Sequence, residues 1–264
     1  MSLNNNEVLI SLWCDFEPNQ KEWGNWKDFD FWKSARDLGY PQRSLEMAEK
    51  LNIIKNFYQA KITWGVFSCE PFFQWVDFLK DFLERSYKER DSITVHPHWL
   101  NWAKGEWSRC RAPNQNQVLT SLKTVQILSQ YRNYCPLVRS GWNTQKMDIG
   151  TSLMEEYRYK YGFTGVGDVE KREGDKEYRR DGDFLIVPYD TDSMDNCVEK
   201  WKTYFNRVIK RAQRGGAIFS WWFHIHEINP DMFREVMEWT FDIAKKNKLT
   251  LKFINAGEMH KCLQ

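Results

Sequence analysis

Short apolar runs alternate with longer amphipathic stretches along the whole 264-residue chain, and that alternation constrains the fold more than any single motif. Val8–Trp13 predicts a buried strand, Gln42–Tyr58 a helix, and Lys61–Phe67 a second strand. Phe72–Arg90 repeats apolar residues at helical spacing (Phe73, Val76, Leu79, Leu83) and predicts one helix. A third strand follows over Ser92–His96, then a helix over Gln117–Tyr131, a short strand in PLVRS and a helix over Thr151–Tyr161 stopped by Gly162. Asp181-Gly182 lies between two runs and predicts a hairpin over Glu177–Pro188. Met194–Arg214 predicts a helix, Ala217–Phe223 a strand, Asp231–Lys246 a helix and Leu249–Ile254 a last strand. Strands that alternate with helices, with no Pro/Gly/Ser-rich linker between them, imply βα units around a mainly parallel sheet. The expected fold is therefore α/β: one domain over residues 1–264, built as a distorted (β/α) barrel rather than an open sheet.

Charge and composition narrow the function classes. The net charge is +2, from 38 basic and 36 acidic residues closely interspersed, which gives no electrostatic case for nucleic acid. The dense run KREGDKEYRRDGD is mixed in sign and reads as a solvated hairpin or loop. Neither G-x-G-x-x-G nor a P-loop occurs, so nucleotide cofactors find no motif. The six cysteines (14, 69, 110, 135, 197, 262) form no C-x-x-C, which suits packed free thiols in a reducing compartment. The start has no basic n-region, and no run reaches the ~20 apolar residues of a membrane span, so a soluble, cytoplasmic protein is expected. Aromatics make up 16% of the chain, with 14 Trp; they fit a large aromatic core or a groove that stacks on flat rings.

Four of the five histidines fall in two H-x-H units, His96/His98 in ITVHPHWLNW and His224/His226 in SWWFHIHEINP. Side chains at i and i+2 of a strand share a face, and both pairs lie at predicted C-terminal strand ends, where βα folds place their chemistry. Two imidazoles so spaced can share one metal ion, or can be hydrogen-bonded structural histidines. The first strand ends in SLWCDFEP, which puts Asp15 and Glu17 in the same i, i+2 relation. Adjacent carboxylates repel unless a cation, a shared proton or solvent relieves them. A metal held by one, with the other left as a base, is the reading that gives both a task. If strand alternation continues past His226, Glu227 faces away from it, so His226 ranks above Glu227 as a site residue.

D-x-E after the first strand, a histidine pair after the third, R-S-G-W in VRSGWN and F-H-x-x-E in WFHIHE occur in this order. The series resembles the NodB-homology polysaccharide deacetylases, carbohydrate esterase family four, as a divergent branch. The expected T-F-D-D-G-P is here L-W-C-D-F-E-P, the expected H-x-x-x-H is H-x-H, and Gly141 stands where proline is common. The resemblance implies a NodB-like barrel and a metal-dependent carbohydrate N-deacetylase, a hydrolase removing an N-acyl group, most simply N-acetyl, from an amino sugar. It implies a divalent metal, Zn2+ first, held by Glu17, His96 and His98. It makes Asp15 the base, His224 the general acid and Arg139 the cation that keeps Asp15 ionised. Trp142, His226 and Trp99 become candidate walls for the substrate, and either Asp148 or Asp168 supports His224. Arg139 is equally an ordinary ion pair, and Trp142 core packing, on the residues alone. With a cytoplasmic location, the reachable glycan is an intracellular precursor in surface polysaccharide biosynthesis. Two other readings compete: an amidohydrolase-type metal hydrolase, and a sugar-binding protein on the same fold that has lost catalysis.

Overall fold

A computed structural model describes residues 3–17, 39–69, 75–98, 100–109, 115–138, 179–181, 184–186 and 197–263, with five single positions between 27 and 37. Its first strand, β1 (Glu7–Phe16), is buried at all ten positions. A strand hidden on both faces must be covered from both sides, as in the sheets of α/β proteins. Alternation divides the work. Val8, Ile10, Leu12, Cys14 and Phe16 point into the main hydrophobic core. Leu9 and Trp13 join a smaller cluster on the other side with Cys135, Ile218, Ile254, Ala256 and Met259. Ser11 and Asp15 share that second face by the same parity and are also buried.

Six strands form one parallel sheet: β1, β2 (Ile62–Ser68), β3 (Ser92–Pro97), β6 (Tyr134–Val138), β9 (Ala217–His224) and β10 (Thr250–Phe253). β9 runs along one edge of β1 from Val8↔Ala217 to Asp15↔His224. The other edge of β1 is shared: β10 pairs with Glu7–Ile10, and β2 takes over from Leu12 to Phe16. Two short antiparallel ribbons, β4–β5 (Leu100–Ala103, Glu106–Arg109) and β7–β8 (Arg179–Asp181, Phe184–Ile186), complete the described strands. The second of these lies where Asp181-Gly182 predicts a hairpin.

The helices are α1 (Tyr40–Phe57), α2 (Trp75–Phe78), α3 (Lys80–Lys88), α4 (Gln115–Leu128), α5 (Val198–Gly215), α6 (Pro230–Lys246) and α7 (Ala256–Leu263). α5 buries Trp201, Phe205, Val208, Ile209 and Ala212, one stripe at helical spacing, and Trp201 packs edge-on to Trp221 of β9 with ring centroids 4.2 Å apart. Trp64, Trp75, Trp201 and Trp221 are fully buried; each hides enough surface to contribute about 4–6 kcal/mol of transfer free energy before ordering costs. α5 stops at Gly216, whose φ of 82° suits glycine, and a Cβ there would come 2.7 Å from the Asn4 carbonyl. α6 is capped by Asn229, whose side chain accepts from the Asp231 and Met232 amides, with Pro230 in its first turn.

The expected single helix over Phe72–Arg90 is α2 and α3 on either side of Leu79, whose N–H is shared between the Trp75 and Val76 carbonyls. Neither β4–β5 nor α7 is anticipated from sequence, and the helix expected over Thr151–Tyr161 lies outside the described residues. Cys14, Cys69 and Cys135 are buried. Among the described residues, no helix is long and apolar enough to cross a membrane.

At the end of the sheet where β2 and β3 begin, Lys55 of α1 is fully buried. Its Nζ lies 2.9 Å from Asp91 and 3.2 Å from Glu89. Asp91 also accepts from the Ile62 amide at 2.9 Å and from Trp64 Nε1 at 2.8 Å. Burial pushes the Asp91 carboxyl up to about 6 against the pull of Lys55 and these donors.

Candidate metal centre

The opposite end of the sheet gathers a second group of ionisable side chains. Asp15 comes from β1, and Glu17 follows it on the same face. Phe16, between them, turns into the aromatic core against Trp64, Trp75 and Phe82. His96 is in β3 opposite Phe67. Strand geometry continues beyond it, since the His98 amide donates to the Ser68 carbonyl at 2.9 Å, and His98 therefore returns to the face of His96. His224 ends β9, opposite Asp15.

The polar atoms of these residues converge. His96 Nε2 and His98 Nε2 are 2.7 Å apart, Glu17 Oε2 lies 3.0 Å from His98 Nε2, and 3.5 Å separates it from His96 Nε2. Asp15 Oδ2 is 3.4 Å from His96 Nε2. His224 Nε2 faces both acids, 3.9 Å from Asp15 Oδ2 and 3.8 Å from Glu17 Oε1. Asp15, Glu17, His96 and His98 are all at most 3% exposed. Burial opposes the ionised form of Glu17, but the charges and hydrogen bonds of His98 and His96 outweigh it and hold the carboxyl well below the usual range. Burial likewise lowers His98 to about 4, so the ring is neutral at pH 7, the form that ligates metal.

Glu17, His96 and His98 are the one group of three such donors among the described residues that could hold a metal ion. A tetrahedral ion with bonds of about 2.0–2.2 Å keeps its donors about 3.3–3.6 Å apart. The separations of 2.7, 3.0 and 3.5 Å need only small outward ring shifts to match. The donors present, two imidazoles and one carboxylate, fit zinc.

Two residues that sequence reasoning missed, Trp222 and Gly65, and one that it ranked below His226, Glu227, shape this site. Trp222 of β9 donates its Nε1–H to Asp15 Oδ2, and its ring lies against His224 with centroids 4.7 Å apart. Its signal is parity, since it precedes His224 by two positions. Gly65 sits in β2 between Asp15 and His96; a Cβ there would meet Asp15 Oδ1 and His96 Cβ, each at 3.3 Å. A glycine inside an apolar strand marks such a close approach. Glu227 corrects the alternation argument. β9 stops at His224, and the chain turns so that the Glu227 and Ile228 amides donate back to the His224 carbonyl. Glu227 therefore faces the two histidines instead of pointing away. Its Oε2 is 3.5 Å from His224 Nδ1 and its Oε1 3.5 Å from His226 Nε2. Arg139, Trp142, Trp99, Asp148 and Asp168 lie outside the described residues.

No protein-family model matches the chain, and no curated protein matches it in sequence. Among solved structures it is similar to Puue allantoinase, with a TM-score of 0.62 over 97% of this chain and 90% of that one, at 12% identity. It is also similar to a protein assigned as a polysaccharide deacetylase from Mycobacterium smegmatis, with a TM-score of 0.51 over 94% and 93% of the two chains, again at 12% identity. At such identities the likeness shows the fold: an α/β architecture of mainly parallel strands with flanking helices, as in deacetylase-like barrels.

Proposed function

We propose that the protein is a metal-dependent hydrolase that removes an N-acyl group, N-acetyl in the simplest case, from an amino sugar in a polysaccharide or its precursor. The observation that carries this reading is the convergence of Glu17, His96 and His98 within ligand-to-ligand distance of one another, with Asp15 and His224 flanking them. The fold likeness to a protein assigned as a polysaccharide deacetylase supports the choice of reaction.

In this reading Glu17, His96 and His98 hold zinc. When bound, zinc supplies Lewis acidity, which acidifies water and polarises an amide carbonyl. Asp15 takes the proton of the attacking water, and Trp222 fixes the direction of its carboxylate. His224 gives a proton to the nitrogen as the C–N bond breaks, so amide plus water leave as carboxylate and amine. Each such transfer contributes about 10²–10⁴ in rate. Arg139 is assigned to keep Asp15 ionised, and Trp99, Trp142 and His226 to line the sugar site. The whole of residues 1–264 is taken as one catalytic domain.

A second reading is hydrolysis of a small or cyclic amide, favoured by the higher TM-score to an allantoinase. The deciding experiment combines metal analysis with a substrate panel. Near-stoichiometric zinc, lost in the His96→Ala/His98→Ala double variant, and acetate release from N-acetylated oligosaccharides or nucleotide sugars are expected. Turnover of cyclic amides alone would select the second reading. A metal-free protein that binds glycans without turning them over would select a degenerate sugar-binding protein.

A further inference from the structure

The second H-x-H unit differs from the first in what holds it. His96 and His98 face each other through their Nε2 atoms. His224 and His226 have ring centroids 5.2 Å apart and both face one carboxylate, that of Glu227. The turn after β9 makes this possible. With the Glu227 and Ile228 amides bonded to the His224 carbonyl, the chain doubles back within three residues. Asn229 and Pro230 then start α6 and fix where the turn must end. These backbone bonds bring residue 227 back beside His224, where its carboxylate reaches both rings.

We infer that Glu227 is a positioning residue: one carboxylate that sets the ring orientation and the tautomer of both His224 and His226. A carboxylate beside an imidazole nitrogen favours the proton on that nitrogen. Oε2 therefore keeps a hydrogen on Nδ1 of His224, and Oε1 keeps one on Nε2 of His226. For His224 the consequence is chemical. With Nδ1–H committed to Glu227, the proton that the ring exchanges is the one on Nε2, the atom that looks towards Asp15 and Glu17. Glu227 need not touch substrate to do this. The inference rests on the deacetylase reading for its effect on rate, but not for the tautomer itself.

Two measurements test it. Long-range ¹H–¹⁵N spectra of the zinc-loaded protein read the tautomer of each ring, and only five histidines need assignment. The expected result is Nδ1–H for His224 in the wild type, with Nε2–H appearing in Glu227→Ala. His224 protonated on Nε2 alone in the wild type would overturn the inference. Kinetics give the second arm. Glu227→Gln and Glu227→Ala should lower kcat on an N-acetylated amino sugar about 10- to 100-fold with KM and zinc content kept. Turnover of 4-nitrophenyl acetate, whose leaving group needs no proton, should be unchanged. Amide and ester rates that fall together, or neither falling, would mean that Glu227 does not act through His224. If the wild type cleaves neither substrate, the functional reading fails, and the tautomer still decides the role of Glu227.

Discussion

Two ionic clusters lie buried at opposite ends of one parallel sheet, and they are balanced in opposite ways. At the lower end, the Lys55 ammonium lies against Asp91 and Glu89, and Asp91 has two further donors in Ile62 and Trp64. At the upper end, Asp15 and Glu17 face histidines, and burial keeps His98 neutral down to about pH 4. The lower cluster contains its own counter-charge and ties α1 to the start of β2 and β3. The partners of the upper cluster can exchange protons, and its donor atoms converge on a volume suited to a cation. A lysine set among acids and backbone donors ties elements together, whereas donor atoms that converge on one small volume can serve a metal.

The comparison breaks most visibly through the acid at position 15. Asp15→Asn should keep zinc, measured by elemental analysis, and cut deacetylation about 10²- to 10⁴-fold. Lys55→Met should do the reverse. It leaves Asp91 uncompensated and should cost about 3–5 kcal/mol in urea unfolding, with zinc content unaltered.

Acid titration sharpens the contrast, because the clusters push stability in opposite directions in the metal-free protein. His98 has a folded value of about 4, below its ordinary value of 6.5. The unfolded chain takes up that proton first, so stability that is full above pH 6.5 is lost as pH falls towards 4. Glu17, lowered below 4.5, adds a loss beginning below that pH. Asp91 is raised from 3.8 to about 6, so its contribution is full below 3.8 and is lost as pH rises through about 6. His98→Asn should remove the acid-side loss and Asp91→Asn the opposing slope, each by about 3 kcal/mol across pH 4–7 in denaturant titrations. The smallest expected effect is in Gly65→Ala. The new methyl crowds Asp15 and His96, costing about 1–3 kcal/mol in stability, with activity lowered and the Lys55 cluster untouched.

Sequence pattern reaches some of this and misses the rest for physical reasons. The i, i+2 spacing of Asp15 with Glu17 and of His96 with His98 states which side chains share a face, and apolar alternation states which segments are strands. Which strands are neighbours is set by pairing between distant segments, and no local pattern encodes it. Gly65 matters only because β2 lies between β1 and β3, and Trp222 only because β9 lies beside β1. Extending a two-residue period past the strand's end sends Glu227 to the wrong face. Asn229-Pro230 is the local signal that a turn must come first. The four-residue strands of β4–β5 are too short for periodicity to register.

β1 takes β9 on one side and β10 on the other, partners encoded about 200 residues later. During synthesis the Leu12–Phe16 half of β1 can pair with β2 once residues 62–66 emerge, but the edge that β9 covers stays open until residues 217–224 follow. Completion of this sheet on the β9 side is therefore late, slowed by closure over a long stretch of chain. Any product truncated before Ala217 exposes both a sticky strand edge and an acidic pair that lacks His224, which favours its aggregation and clearance over partial activity.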